Sequence, residues 1–520
     1  MPRLLKILLI ALMTLVVLSF VALFAYDRYA ERAMGPASTA LAPPAEPSTQ
    51  IDHALGPLTQ RHPGRSGLAL VSGNAEAFSV RALSARHAGR SLDIQYYLWH
   101  DDLTGRLLTH EVLAAADRGV RVRILLDDIN AHGADAAIAG LASHPNIDVR
   151  MFNPSRNRGG SVGRAAELLL RGLSLNRRMH NKAWIVDGQL AVVGGRNVGN
   201  EYFDAAQDTN FLDADLAMLG PVVEQTAVIF DEYWNSRAAL PIESLSDETP
   251  LPLDTIRASL TQLTHSSDAR PYLDHVAKSQ LVQSYLDGSA SFRWTEQARV
   301  VSDPVEKAWG DGEDHWLIHD ILDMARSAER ELALVSPYFV PGDEGVDLLL
   351  EQAAQGTEVT ILTNSLASND VVAVHSGYAP YRKPLLEGGI AIYELMPEGG
   401  TQQQSSLFGS SGASLHTKAF MVDGSRGYVG SFNFDPRSVH LNTEMGVMFE
   451  DEVLVRALLD DFDRHTDTQH SFALSLQDGD LRWHDRRSDP PRLWDQEPEA
   501  SAWRRAAAWL LSWLPLEQHL

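Results

Sequence analysis

The run HNKAWIVDG at residues 180–188 returns as HTKAFMVDG at 416–424, and the sequence ahead of it returns as well. In the first half the β-rich SLDIQYYLW (91–99) leads into a helical LLTHEVLAAADRG, a second strand VRVRILLDD and a third, NIDVRMF (146–152). In the second half ELALVSPYF (331–339) leads into VDLLLEQAAQG, EVTILTNS and GIAIYEL (389–395). Gly119 lies 61 positions before His180, and Gly356 lies 60 before His416. Matched order and spacing predict two copies of one α/β unit. Each copy predicts a mostly parallel or mixed sheet with helices on its faces, and ligands outside the strand ends.

Both copies read H-x-K-A-aromatic-x-V-D-G, followed by Gly194, Gly195 and Asn197 in one and Gly430, Ser431 and Asn433 in the other. His180 and Lys182, like His416 and Lys418, are two residues apart, so on a strand they point to one face and can share a site. Asp187 and Asp423 fall an odd number of residues further and point oppositely, which suits support better than attack. By composition His-x-Lys-x4-Asp is expected on the order of a hundredth of a time in such a chain, so two occurrences in register require an explanation. Only six lysines (6, 182, 278, 307, 383 and 418) occur among 44 basic residues, yet both motif positions hold Lys rather than the prevailing Arg. A compact ammonium is wanted there, not a planar fork.

Brought together, the copies supply two imidazoles, two ammonium groups and two Asn amides around one small volume. Two cations with neutral donors suit the non-bridging oxygens of a phosphate during transfer. A neutral histidine is a nucleophile and a protonated one an acid, so one can attack while the other protonates the leaving oxygen. Covalent phosphohistidine catalysis is the resulting expectation. The lysines would do the neutralising that Mg²⁺ does in kinases, so neither a metal nor a cofactor is called for.

The chain has 520 residues, enough for two domains with appendages. Its net charge of −24 disfavours nucleic acid as a partner, since affinity for a phosphate backbone rests on clustered Lys and Arg. The absence of cysteine excludes disulfides and thiol catalysis. From Ile7 to Tyr26 the chain is apolar apart from Thr14 and Ser19, and twenty helical residues span about 30 Å, the thickness of a bilayer core. A cleaved signal peptide is the alternative, but its apolar region is usually only about 7 to 15 residues and no A-x-A site follows closely. Arg3 and Lys6 precede the run and mixed charges follow it, which favours a cytoplasmic N-terminus with the body outside the cytoplasm.

At the motifs the chain resembles the phospholipase D superfamily. HNKAWIVDGQLAVVGGRN and HTKAFMVDGSRGYVGSFNFDPRS look like its two HKD signatures, and the likeness covers roughly 64–240 and 328–475. The resemblance implies two tandem phospholipase D-like α/β/α sandwich domains with pseudo-two-fold symmetry, preceded here by the transmembrane helix. It implies one site where the motifs meet, a covalent intermediate on one histidine, and Glu444 of LNTEMG near the second histidine. Asp213 of FLDADL aligns with Glu444 in the first half. Similarity favours His180 as nucleophile and His416 as general acid. Asp187, Asn197, Asp423 and Asn433 belong to the same implied catalytic set. SLDIQYYLWHDDLTG, TNSLASNDVVAVHSGYAPYR and the C-terminal LLSWLPLEQHL most resemble bacterial cardiolipin synthases of the C type. That implies transfer of a phosphatidyl group, with phosphatidylglycerol and phosphatidylethanolamine as lipid partners, at a bacterial inner membrane. In a Gram-negative cell the catalytic body would be periplasmic. Hydrolysis to phosphatidic acid, a nuclease on the same fold and a non-catalytic scaffold are the alternatives.

The resulting division is an anchor (1–30), a Pro/Ala-rich tether (31–63), a first catalytic domain (64–240), an insert (241–327), a second catalytic domain (328–475) and a C-terminal extension (476–520) with an amphipathic Trp/Leu helix. Trp99 and Tyr338 follow corresponding strands and could gate the site. His375, Tyr378 and Arg382 recur at helical spacing, as a packed or solvated helix face would, though Arg382 could hold a headgroup phosphate. Ser431, which replaces Gly195, is a further candidate for touching substrate.

Overall fold

The computed structural model describes residues 3–514 apart from 132, 159, 208, 247, 279–290, 370 and 398–414, with only the backbone of residue 130. The first half folds as β1 (Ser66–Val71), β2 (Ser91–Tyr96), β3 (Arg121–Asp127), β4 (Ile147–Phe152), β5 (Ala183–Val186), β6 (Leu190–Gly194), β7 (Asp215–Leu219) and β8 (Ala239–Pro241). β9 (Arg293–Thr295) and β10 (Ala298–Ser302) follow. The second half contains β11 (Glu331–Val335), β12 (Glu358–Asn364), β13 (Ala391–Leu395), β14 (Ala419–Val422), β15 (Arg426–Gly430) and β16 (Met445–Glu450). The chain ends with β17 (Ser471–Gln477), β18 (Asp480–Asp485) and β19 (Arg492–Trp494).

Among the described residues the strands form two sheets, ordered β8-β4-β3-β2-β5-β6-β7-β1-β9 and β10-β16-β15-β14-β11-β12-β13-β17-β18-β19. β4-β3-β2-β5-β6-β7 and β13-β12-β11-β14-β15-β16 are the same arrangement twice. In each, three parallel strands meet three antiparallel ones. β9 and β10, both from the span expected as an insert, pair with β1 of the first sheet and β16 of the second. That span therefore builds one edge of each half.

The motif strands are apolar throughout because both of their faces are covered. Ala183 and Ile185 pack in one core with Ala419 and Met421 of the other half. Trp184 and Val186 point the opposite way into the first half's helix-covered core, and Phe420 and Val422 do the same in the second. The two sheets therefore share one apolar layer, and this holds the strand ends of both halves together.

The D-G pair ending each motif is a hairpin turn. Asp187 and Gly188 have φ of 53° and 68°, Asp423 and Gly424 of 52° and 70°, and the Gln189 amide donates to the Val186 carbonyl at 2.9 Å. Positive φ at both central positions is the twist that a tight hairpin needs, and it favours Asp-Gly.

The N-terminal helix, Arg3–Ala33, is long and apolar enough to cross a membrane by length and composition. Its last turns rest on the body: Tyr26 and Ala30 are buried, and the Tyr26 hydroxyl donates to the Pro154 carbonyl at 3.2 Å. The 31–63 stretch, expected as a free tether, is fastened to the body. The Ala40 amide donates to Asp231 at 2.8 Å, Arg150 donates to the Pro36 carbonyl at 2.7 Å, and Gln50–Arg61 is a helix with a Thr49–Asp52 capping box. Its composition signals irregular backbone but carries no information on whether that backbone finds partners. At the other terminus the helix Ala502–Leu511 docks on the body through Ala507 and Arg504, whose Nε donates to the Leu366 carbonyl at 3.1 Å. Trp503, Trp509 and Trp513 on that helix and its end are exposed. The remaining six residues of the C-terminal run lie outside the described residues.

Candidate active site

Each motif histidine sits in the extended lead-in to its strand and is fixed by the opposite half. The His180 amide donates to the Thr443 carbonyl and the His416 amide to the Leu212 carbonyl, both at 2.8 Å, and the Met179–Thr443 and Leu212–Leu415 bridges flank them. Because the bridges run between halves, each histidine is delivered to the other half's acid. His180 Nδ1 lies 2.7 Å from Glu444 Oε2, and His416 Nδ1 lies 2.6 Å from Asp213 Oδ2. The resemblance placed Glu444 beside the second histidine; the structure corrects this to the first. With Nδ1 so engaged, each Nε2 is left to face a substrate.

Lys182 and Lys418 both turn back to the carbonyl of the histidine two residues before them, and Lys418 Nζ also lies 3.0 Å from His416 Nδ1. Among the described residues, the aromatic rings that meet the two histidines come from the first half. Tyr97 meets His180 edge-on at 5.0 Å, while Tyr202 at 5.1 Å and Phe211 at 5.3 Å pack on His416. Asn197 is buried and donates to the Tyr202 hydroxyl at 2.9 Å. The side-chain oxygen of buried Asn433 has no hydrogen-bond partner among the described residues. Sequence reasoning missed the three wall aromatics, because an aromatic near a strand end is ordinarily core.

The two acids are held differently. Glu444 accepts from Ser431 Oγ at 2.5 Å and Ser438 Oγ at 3.0 Å in addition to His180. Its backbone is braced by Asp303, which accepts the Glu444 amide at 2.9 Å and is itself paired with Lys307 at 2.8 Å. Asp303 and Lys307 lie in the span to which the sequence assigned no chemistry. Asp213 has the Ala214 amide at 2.8 Å and His416. A Cβ on Gly195 would stand 2.3 Å from Asp213 Oδ1, so the first half has no room for a counterpart of Ser431.

Burial drives His180 down to about 4, with Glu444 opposing and Lys182 adding to the shift. His416 is also driven down, by burial and then by Lys418, Lys182 and His180. Lys182 falls to about 7 for the same first reason. Burial alone would raise both acids. It does raise Asp213, whereas His180, Lys182 and Ser431 hold Glu444 below the usual carboxylate range. Two neutral imidazoles with Lys182 and Lys418 beside them suit an anionic phosphodiester, whose oxygens the ammonium groups can neutralise.

The other candidates lie elsewhere. Asp187 and Asp423 stand at the far end of their strands, roughly 16 Å of extended chain from the lysines, and are not in the site. Asp187 accepts amides of Gly89, Arg90 and Ser91, and Asp423 those of Glu329, Arg330 and Glu331. Ser431 is committed to Glu444 rather than open to substrate. Arg382 is buried and paired with Glu394 at 3.1 Å and Glu497 at 2.7 Å, so no headgroup phosphate can use it. Tyr378 donates to Glu394 and His375 meets Glu497, each at 3.1 Å, in the same buried cluster. Helical spacing gave no sign of these acids because one lies on β13 and the other in the C-terminal extension. Trp99 donates from its indole to the Gly105 carbonyl at 3.2 Å and stacks on Trp184, and Tyr338 is part-buried against the second half's core.

Residues 84–234 and 321–466 match the family model described as cardiolipin synthase, PLD-like domain. The chain is 41% identical over 486 residues to cardiolipin synthase C of Escherichia coli (strain K12), covering 90% of this chain and 99% of that one. It is 26% identical over 376 residues to cardiolipin synthase 2 of Staphylococcus epidermidis (strain ATCC 12228 / FDA PCI 1200), covering 72% and 62%. Its fold is similar to the crystal structure of a phosphatidylserine synthase from Haemophilus influenzae Rd KW20, with TM-score 0.56 and 13% identity, covering 90% of this chain and 100% of that one. With both halves matched and the two motifs converging on one site, the chain belongs to the phospholipase D superfamily, among its cardiolipin synthase-like members.

Proposed function

We propose that this protein is a membrane-anchored phosphatidyltransferase that makes cardiolipin, moving a phosphatidyl group from a donor phospholipid to the glycerol hydroxyl of phosphatidylglycerol. The observation that carries the reading is the reciprocal exchange of acids. Each neutral histidine has Nδ1 on the other half's carboxylate and Nε2 left for chemistry, with Lys182 and Lys418 beside them. The relatives' names supply the lipid class.

His180 Nε2 attacks phosphorus, the bond to the leaving alcohol breaks, and that oxygen takes a proton from His416. The acceptor hydroxyl then returns a proton to His416 as its oxygen attacks, and the phosphorus–nitrogen bond breaks to restore His180. The lysines and the Asn197 and Asn433 amides stabilise charge on the non-bridging oxygens. The unequal acids support this assignment of roles. Glu444, held as a carboxylate by three donors, keeps the His180 Nδ1 proton in place and Nε2 basic. Asp213, with its raised proton affinity, lets the Asp213–His416 pair take up a proton when the anionic substrate arrives. The N-terminal helix supports a bacterial inner-membrane location, and Arg3 and Lys6 at its start, ahead of the apolar run, support a periplasmic body.

The test is a product assay on purified protein in phosphatidylethanolamine and phosphatidylglycerol vesicles, with EDTA present. Cardiolipin formed by wild type, and not by His180→Ala or His416→Ala, is expected. Phosphatidic acid as the only product would replace transfer with hydrolysis.

A further inference from the structure

A cavity of about 490 Å³ lies where the membrane helix meets the body, remote from the chemistry in function but adjacent to it in the chain. One wall is Leu23, Tyr26 and Asp27 of the N-terminal helix, and the others include Leu173, Arg177, Arg237, Trp309 and Leu441. Leu23 is inside the apolar run and Asp27 is the first charge beyond it, so the cavity straddles the level at which that helix leaves hydrocarbon. The neighbouring helix Ser161–Leu175 reinforces this level. Its Arg171 lies against the Tyr26 ring, and Val162, Leu168, Leu169 and Leu173 are 82%, 55%, 65% and 83% exposed. Exposed apolar side chains on a helix packed against a membrane anchor are placed to enter the interface.

Two cations line the same cavity in a chain of net charge −24. Arg177 donates to the carbonyls of Lys307 and His440, both at 2.9 Å, and has no carboxylate within 4 Å among the described residues. Arg237 lies over Trp309 at 4.2 Å, with its ion-pair partner Asp27 at 3.8 Å, beyond hydrogen-bond reach. Guanidinium groups with unspent donors beside leucines suit a phosphodiester with acyl chains, rather than a wholly polar or wholly apolar ligand.

We infer that this cavity binds the headgroup of an anionic phospholipid, with its phosphate between Arg177 and Arg237 and its acyl chains along Leu23 and Leu173. The inference rests on the membrane-anchor reading of the N-terminal helix. Its consequence for the reaction is local. Arg177 is three residues before His180 and Leu441 three before Glu444, and the two segments are joined at Met179 and Thr443. A lipid seated there bears on the strand lead-in that positions the His180–Glu444 pair.

The test uses full-length protein carrying a benzophenone side chain at Leu441, in phosphatidylcholine vesicles with or without phosphatidylglycerol, with adducts read by intact mass. A phosphatidylglycerol adduct is expected at Leu441 but not at the exposed control position Leu493. Arg237→Gln or Arg177→Gln should lower it about tenfold, the loss of one charge-assisted contact. Inorganic phosphate at the lipid's concentration should leave the adduct intact; displacement would show an anion site with no need of lipid. An adduct no stronger than at Leu493, or equal for phosphatidylcholine, would overturn the lipid site while the protein still pellets with vesicles. Protein stripped from vesicles by alkaline carbonate would overturn the anchor, and the site with it.

Discussion

The two halves share a sheet order and a motif, yet differ where they touch the chemistry. The first half contributes His180, Asp213 and the aromatic walls; the second contributes His416, Glu444 and the two serines on that acid. Gly195 and Ser431 are the hinge of the difference. The first half has the acid pressed close and no hydroxyl, whereas the second has a longer acid fastened by a hydroxyl. Pseudo-symmetry therefore builds one site while letting its two carboxylates differ in proton affinity, with Asp213 raised by burial and Glu444 held down by His180, Lys182 and Ser431.

That difference can be tested by removing one side at a time. His180→Ala and His416→Ala should each reduce cardiolipin formation by about a thousandfold or more, measured as product per enzyme. Glu444→Gln should cost about a hundredfold in kcat, because an amide cannot hold the His180 proton as a carboxylate does. Asp213→Asn should be milder toward a donor with an aryl leaving group, which needs no acid, than toward a natural lipid. Equal losses for both acids with both substrates would contradict the unequal roles.

The pH profile gives a second contrast. His180 acts neutral, so kcat/KM should fall about tenfold per unit once pH drops below about 4. Lys182 acts protonated, so the other limb should fall as pH rises through about 7. In Glu444→Gln the acid limb should move lower still, because the group that raises the His180 pKa is gone. Ser431→Ala, which removes one of three donors to Glu444, should lower kcat by about tenfold at most. Asp187→Asn should leave kcat nearly unchanged and lower thermal stability by about 1–3 kcal/mol, read from melting, since it serves three amides far from the site.

Much of this was legible in the sequence where the signal was local. The repeated motif, the strand–helix–strand order and the D-G pair are statements about neighbours in the chain, and the strands fall on β2, β3, β4, β11, β12 and β13 as read. What was illegible was exchange between halves. The family resemblance aligns Glu444 with Asp213 but cannot show that the Met179–Thr443 bridge hands Glu444 to His180. Similarly, Arg382 reads as an available cation until Glu394 and Glu497 arrive from distant segments, and the 241–327 span reads as an insert until β9, β10 and Asp303 are seen in place. Tertiary partners of charged groups are not encoded in a helix's own periodicity.

The assignment of roles to the two histidines is tested most directly by trapping the covalent intermediate. His416→Ala should be mixed with a phosphodiester bearing an aryl leaving group, quenched in alkali to preserve a phosphorus–nitrogen bond, digested, and mapped by mass. A phosphoryl adduct on His180, with none in His180→Ala, is the expected result. An adduct on His416 in His180→Ala, with none on His180 in His416→Ala, would contradict it and exchange the roles of the two halves.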